Sequence, residues 1–163
     1  MISIRELRES DIPSIQKYIS EPSLTQMSYI PFPYPDNGAS VWYDIVKELI
    51  VRQQAKVFVI ELQSTFVGVV TFNELSFLKQ RTNIDYWVRV DFQGNGIASK
   101  AISLATEEAR KMGLTTLYSG CLTRNLASQK ALLNNGFIPY HEVVLSNGKY
   151  KGEKQIHLSK ELT

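Results

Sequence analysis

The chain has 163 residues, 44% of them hydrophobic and 21% charged, which is the size and composition of one globular domain with a real core. Its 18 Lys and Arg against 16 Asp and Glu leave a net charge of +2 with no basic run, which argues against a nucleic-acid partner. No apolar run approaches the roughly 18 residues of a membrane span, and the N-terminus lacks a signal-peptide pattern, so no membrane partner and a cytoplasmic location are expected.

Ile2 to Leu7 alternates apolar and polar residues as a half-buried strand does, and Ser10 offers a cap for a helix carrying Ile12, Ile15 and Ile19. Residues 29 to 36, YIPFPYPD, hold prolines at alternate positions and must form a stiff loop. A second helix fits Val41 to Gln53, with Val41, Ile45, Leu49 and either Trp42 or Val46 on its inner face. The strands Lys56 to Leu62 and Phe66 to Leu75 follow as a hairpin, and Asn83 to Val90 forms a third. The helix Ile97 to Met112 is expected to bury Ile97, Ala101, Leu104, Ala105 and Met112, with Glu107 and Lys111 paired outside and Gly113 as its stop. The strand Thr115 to Cys121, a short helix Ala127 to Asn135 closed by Gly136, and the strands Phe137 to Leu145 and Lys154 to Leu158 complete the chain. The order βααβββαβαββ predicts an α/β protein with a mixed sheet flanked by helices and a parallel, right-handed βαβ crossover at its centre.

The stretch Gln93 to Ala98, QGNGIA, lies inside that crossover, between a strand and a helix N-terminus. Gly94 and Gly96 keep side chains off the backbone, so the free amides of the helix's first turn form an anion site suited to phosphate. GNGIAS approaches the dinucleotide pattern GxGxxG, but it follows several strands instead of the first, and the next strand ends at Ser119, Gly120 and Cys121 without a carboxylate. The GxxxxGK[ST] phosphate loop is absent.

The pattern Gln93-x-x-Gly96-x-Ala98 resembles the pyrophosphate loop of the GNAT superfamily of acetyl-CoA-dependent N-acetyltransferases. The strand NIDYWV before it, the segment Asn125-x-x-Ser128 and the pair Gly136-Phe137 fall where that superfamily has its cofactor strand, short helix and closing strand. GVVTFNEL, IDYWV, FQGNGIAS and CLTRNLASQKALLNNGF are most similar to the Rim-type branch, which acetylates N-terminal amines of ribosomal proteins. The resemblance implies one N-acetyltransferase domain over residues 1 to 163, as a monomer or a homodimer. It implies that Gln93, Gly94, Asn95, Gly96, Ile97, Ala98 and Ser99 hold the pyrophosphate of acetyl-CoA. It also implies that Tyr86, Trp87 and Val88 lend backbone groups to the pantetheine, with Asn125 bonding the same arm.

The tyrosine acid common in the superfamily falls at Leu132, and the glutamate base of some N-terminal acetyltransferases falls at Gly120. In the Rim-type branch the acid is the serine of the N-x-x-S segment, here Ser128. Glu74, near a strand end, is the candidate base, acting directly or through water. Cys121 is expected to be a small sheet residue, and His141 and His157 lack ligand spacing, so no metal is implied. Tyr29, Phe32 and Tyr34 on the proline-aromatic loop are candidates for the acceptor-pocket wall. The expected acceptor is a protein N-terminus, with a small amine such as a polyamine, amino acid or antibiotic as the alternative enzyme substrate and a non-catalytic acyl-CoA sensor as the alternative of another class.

Overall fold

A computed structural model describes residues 1 to 163. The strands are β1 (Ile2–Glu6), β2 (Lys56–Leu62), β3 (Thr65–Ser76), β4 (Arg81–Val88), β5 (Thr116–Leu122), β6 (Ile138–Val144) and β7 (Lys154–Glu161). The helices are α1 (Ile12–Ile19), α2 (Pro22–Thr25), α3 (Gly38–Val51), α4 (Ile97–Lys111) and α5 (Leu126–Asn134). The strands form one sheet of seven in the order β1-β2-β3-β4-β5-β7-β6. Every neighbouring pair is antiparallel except β4 with β5, the parallel pair that the α4 crossover requires.

Two apolar layers hold the helices to the sheet. On one face α4 and α5 bury Ile97, Ala101, Ile102, Ala105, Ala109 and Leu132 against Phe72, Ile84, Leu117 and Leu158. On the other, α1 and α3 bury Ile15, Ala39 and Val46 against Val57 and Val69. The alternation along β4 is therefore fixed: Ile84, Tyr86 and Val88 pack towards α4, and Trp87 towards α1 and α3.

Several local expectations are corrected. Ser10 does not cap α1. It sits in a 3-10 turn, Glu9–Asp11, where the Asp11 carboxylate accepts from the Arg8 amide at 2.8 Å and pairs with Arg5 at 2.7 Å. The α3 helix begins at Gly38, before the expected Val41, because the Gln16 side chain of α1 accepts from the Ala39 amide at 2.9 Å and donates to Pro35 O at 2.9 Å. Its inner face is Ala39, Trp42, Val46, Leu49 and Ile50, whereas Val41 and Ile45 are 47% and 59% exposed. On α4 Ile97, Ala101 and Ala105 are buried as expected, Ile102 and Ala109 join them, Leu104 and Met112 are only half-buried, and the surface pairs are Glu107 with Arg110 and Glu108 with Lys111. Val90 belongs to a 3-10 turn, Val90–Phe92, that carries the chain from β4 to the glycine turn.

Gly68 on β3 pairs with Val88 across from the end of β4, and a β-carbon there would lie 2.2 Å from the Trp87 carbonyl oxygen. Gly68→Ala must push β4 aside, so it is expected to cost about 1–3 kcal/mol and lower Tm by roughly 3–10 °C in thermal unfolding.

Candidate active site

β4 and β5 are bonded only through Arg81, Thr82 and Asn83 against Thr116, Leu117 and Tyr118. At the next position the Ser119 hydroxyl donates to Ile84 O at 2.8 Å, and beyond it no ladder bond joins the strands. Parallel strands that separate in this way leave an open edge along Asp85 to Val88, a surface that accepts an extended amide chain. At the far end, the Gln93 side chain donates to Val88 O at 3.0 Å, so that carbonyl is already partnered and the exposed Gln93 braces the strand.

The glycine turn continues from this edge. Gly94 and Gly96 adopt φ of +80° and +73°, which favours glycine, and no atom lies within 4 Å of where their β-carbons would stand. The backbone amides of Gly94, Asn95, Gly96, Ile97, Ala98 and Ser99 have no backbone acceptor, while Lys100 N begins the helical ladder on Gly96 O at 3.1 Å. Six successive free amides at the positive end of a 15-residue helix make a cradle for a pyrophosphate. Asn95 donates its side-chain amide to Phe92 O at 3.1 Å, and Asn135 donates to Ser99 O and Oγ at 3.0 and 3.1 Å, so both polar side chains stiffen the turn.

Ser128 lies on the first turn of α5. Asn125 caps that helix by accepting from the Ser128 amide at 3.2 Å, which occupies its side-chain oxygen and leaves its amide group for a ligand. The Ser128 hydroxyl is 2.6 Å from the Tyr86 hydroxyl, across the gap between β4 and β5. Burial pushes the Tyr86 phenol up to about 12, against the opposing hydrogen bond from Ser128, so it keeps its proton at neutral pH. Burial also raises the Cys121 thiol, so Cys121 is held neutral, as a small sheet residue should be. The side chains of Tyr86 and of its neighbour Asp85 are site groups that the sequence alone does not single out. Leu132, at the superfamily's tyrosine position, is fully buried in the core.

A cavity of about 810 Å³ runs from beneath α1, α3 and the proline-aromatic loop to Tyr86, Cys121, Asn125 and Ser128 at the strand separation. Tyr29, Tyr34, Trp42 and Trp87 supply its aromatic walls, and the exposed Val41 and Ile45 of α3 face into it. Phe32 does not line it and is 62% exposed, because the loop turns that ring outward. The loop is held down by the link between β6 and β7: Lys149 donates to Ser28 O and Ile30 O at 2.9 and 3.0 Å, and the Tyr150 hydroxyl donates to Thr25 O at 2.8 Å. The Lys149 charge is therefore spent on loop carbonyls and does not face the cavity.

Asp85 is the only charged side chain lining this cavity. Its carboxylate accepts from the Asn73 side-chain amide. Crowding by protein pushes its carboxyl above the usual carboxylate range, Glu74's charge adds to this, and the Asn73 bond opposes it. Glu74, the candidate base, lines a second, polar cavity of about 610 Å³ and not the first. A bulge between Asn73 and Ser76 gives Glu74 a φ of +50° and turns it to the Asn83 side chain, which donates to it at 2.6 Å. The two cavities meet at Asp85, Ser119, Gly120 and Gln155. His141 and His157 stack with ring centroids 5.8 Å apart.

Comparison with known proteins agrees with this geometry. Residues 2 to 138 match the family model described as the acetyltransferase (GNAT) domain. A ribosomal-protein-serine acetyltransferase of Escherichia coli strain K12 is 33% identical over 88 residues, which is 53% of this chain and only about half (49%) of that protein. Among solved structures, a RimL ribosomal L7/L12 alpha-N-protein acetyltransferase in complex with coenzyme A superposes with a TM-score of 0.88 at 21% identity over 99% of this chain and 94% of that one. A spermidine N-acetyltransferase of Vibrio cholerae in complex with CoA and spermine superposes with a TM-score of 0.84 at 18% identity over 98% and 95%. Separated central strands, a free-amide turn at the start of α4 and a family match over most of the chain place this protein in the GNAT family of acetyltransferases.

Proposed function

We propose that the chain transfers acetyl from acetyl-CoA to the α-amino group at a protein N-terminus. The carrying observation is a continuous arrangement: the free amides of Gly94 to Ser99 follow the end of β4, and the open edge of β4 runs from there into the aromatic cavity, which Tyr86 and Ser128 line. Acetyl-CoA fits this set, with the amides taking the pyrophosphate, the β4 edge and Asn125 taking the pantetheine, and Ser128 beside the thioester. When bound, it supplies the activated acetyl group.

The residues around that group have separable tasks. The two hydroxyls are 2.6 Å apart and either can donate; with Tyr86 as donor, the Ser128 hydroxyl is free to donate onward to the departing sulfur, so the pair can supply an acid where Leu132 cannot. Backbone amides along the open edge of β4 are suited to polarise the acetyl carbonyl. An α-amine with a pKa of about 7.7–8.0 needs far less help to lose its proton than a lysine at about 10.4, which suits a site with a single carboxylate. A polyamine, carrying several cations, would find only Asp85 to answer them along the cavity. The similarity to the ribosomal-protein-serine enzyme points to the same acceptor class.

Thiol release from acetyl-CoA, measured against peptides with free Ser, Ala or Met N-termini beside polyamines, amino acids and aminoglycosides, tests the reading. Peptide-dependent turnover with the mass added at the α-amine is expected. Turnover with small amines alone would make it a metabolite acetyltransferase, and cofactor binding without turnover would make it a sensor.

Ser128→Ala and Tyr86→Phe are each expected to lower kcat about 10- to 100-fold while acetyl-CoA affinity stays within about threefold, and the double variant should be no slower than the worse single one. A Ser128→Ala enzyme with unchanged kcat would exclude the relay. Gly96→Ala forces a β-carbon into the left-handed region at a cost of about 1–2 kcal/mol, so calorimetric titration should show acetyl-CoA Kd raised roughly 5- to 30-fold.

A further inference from the structure

We infer that Asp85 receives the acceptor: its carboxylate pairs with the incoming ammonium and takes the proton that frees the nitrogen lone pair. This rests on the acetyl-transfer reading and assigns the residue that selects a single amine.

Three observations carry it. First, Asp85 alone is charged in a cavity otherwise walled by aromatic, aliphatic and neutral polar groups, so it is the place where a cation is stabilised within it. Second, alternation along β4 puts Asp85 on the same face as Trp87, towards α1 and α3, and puts Tyr86 on the opposite face with Ser128. The nucleophile's base and the sulfur's acid thus flank the open edge from opposite sides, which direct attack requires. Third, the Asn73 side-chain amide holds one carboxylate oxygen, which orients the group and leaves the other for the substrate.

Asp85 also borders the second cavity, so a proton it accepts has a polar route outward. Glu74 of β3, His157 of β7, Arg81 at the start of β4 and Lys79 before it are the charged or titratable groups lining that side, with Tyr118 of β5 and Tyr140 of β6. The residues of α1 and α3 that line the first cavity carry no charge. Crowding and the nearby Glu74 hold the carboxyl above the usual range, which makes it a stronger base than a free aspartate.

The protons balance. The ammonium gives one proton to Asp85, the carbon–nitrogen bond forms as the carbon–sulfur bond breaks, and the sulfur takes a proton through Ser128 and Tyr86. The nitrogen's second surplus proton replaces that one, so coenzyme A leaves as the thiol, the product is a neutral amide, and one proton passes from Asp85 to solvent.

The test is Asp85→Asn in the full chain. The wild type, able to bind the ammonium, is expected to hold its peptide kcat/KM from pH 8 down to pH 6. The variant must capture the free amine, so its kcat/KM should fall about tenfold per pH unit below an amine pKa of about 7.7–8.0. Without acetyl-CoA, tryptophan-fluorescence titration should show that the variant loses at least tenfold in affinity for the free-amine peptide and nothing for the same peptide acetylated at its N-terminus. Asp85→Glu should recover part of both losses, which separates lost charge from lost folding. A variant with the wild-type pH profile and the wild-type preference for the free amine overturns the assignment while leaving peptide acetylation standing. A wild type that acetylates no peptide, yet shows an Asp85-dependent preference for the free amine, supports Asp85 as the ammonium's partner and overturns both the proposed reaction and the proton transfer assigned to Asp85 within it.

Discussion

The loss of pairing between β4 and β5 is the constraint on which the rest of the molecule depends. A parallel pair normally continues for the length of both strands, because each skipped ladder bond leaves backbone groups without partners. Here the pairing stops at Asn83 and Tyr118, and the Ser119 hydroxyl takes the Ile84 carbonyl as the strands part. The freed edge is retained because the core does not depend on it: Ile84 and Leu117 are fully buried just before the gap, and α4 and α5 cover the sheet behind it. The opening is thus a property of the fold.

The polar side chains around that opening act mostly on the protein itself. Gln93 and Asn95 brace the turn, Asn125 caps α5, and Asn135 ties α5 to the first turn of α4. Backbone amides are then left without partners, and an anion that met them there would cost little side-chain entropy on binding. The same economy governs the far wall, where Lys149 and Tyr150 hold the 25–30 segment so that Tyr29 and Tyr34 can shape a cavity. Lys149 thus acts as a clamp on the loop.

The errors of the sequence reading have physical causes. Val41 and Ile45 were placed in the core because apolar residues at helical spacing ordinarily are, but α3 has two apolar flanks, one on the sheet and one on the cavity. The start of α3 was missed because its cap comes from Gln16, 23 positions away along the chain. Glu74, the candidate base, stands apart from the Tyr86–Ser128 pair because the bulge after Asn73 turns it into the neighbouring cavity. Asp85 is not singled out by the sequence because an acid in an alternating strand is ordinarily a solvated surface group, and nothing local says that this exposed carboxylate lines a cavity.

By itself the sequence determined the order of the strands and of the longer helices, though not the short α2, together with the parallel crossover and the glycine turn at the start of α4, since each follows from short-range rules: hydrophobic period, glycine at positive φ, and free amides at a helix start. The tertiary structure alone decided which side chains share the reaction space. Tyr86 and Ser128 stand 42 positions apart and meet only because two strands part around them, and Asp85 becomes the cavity's lone charge only once α1, α3 and the clamped loop close over β4. Contacts of that range depend on how layers pack, and packing is summed over the whole chain instead of being written at any one position.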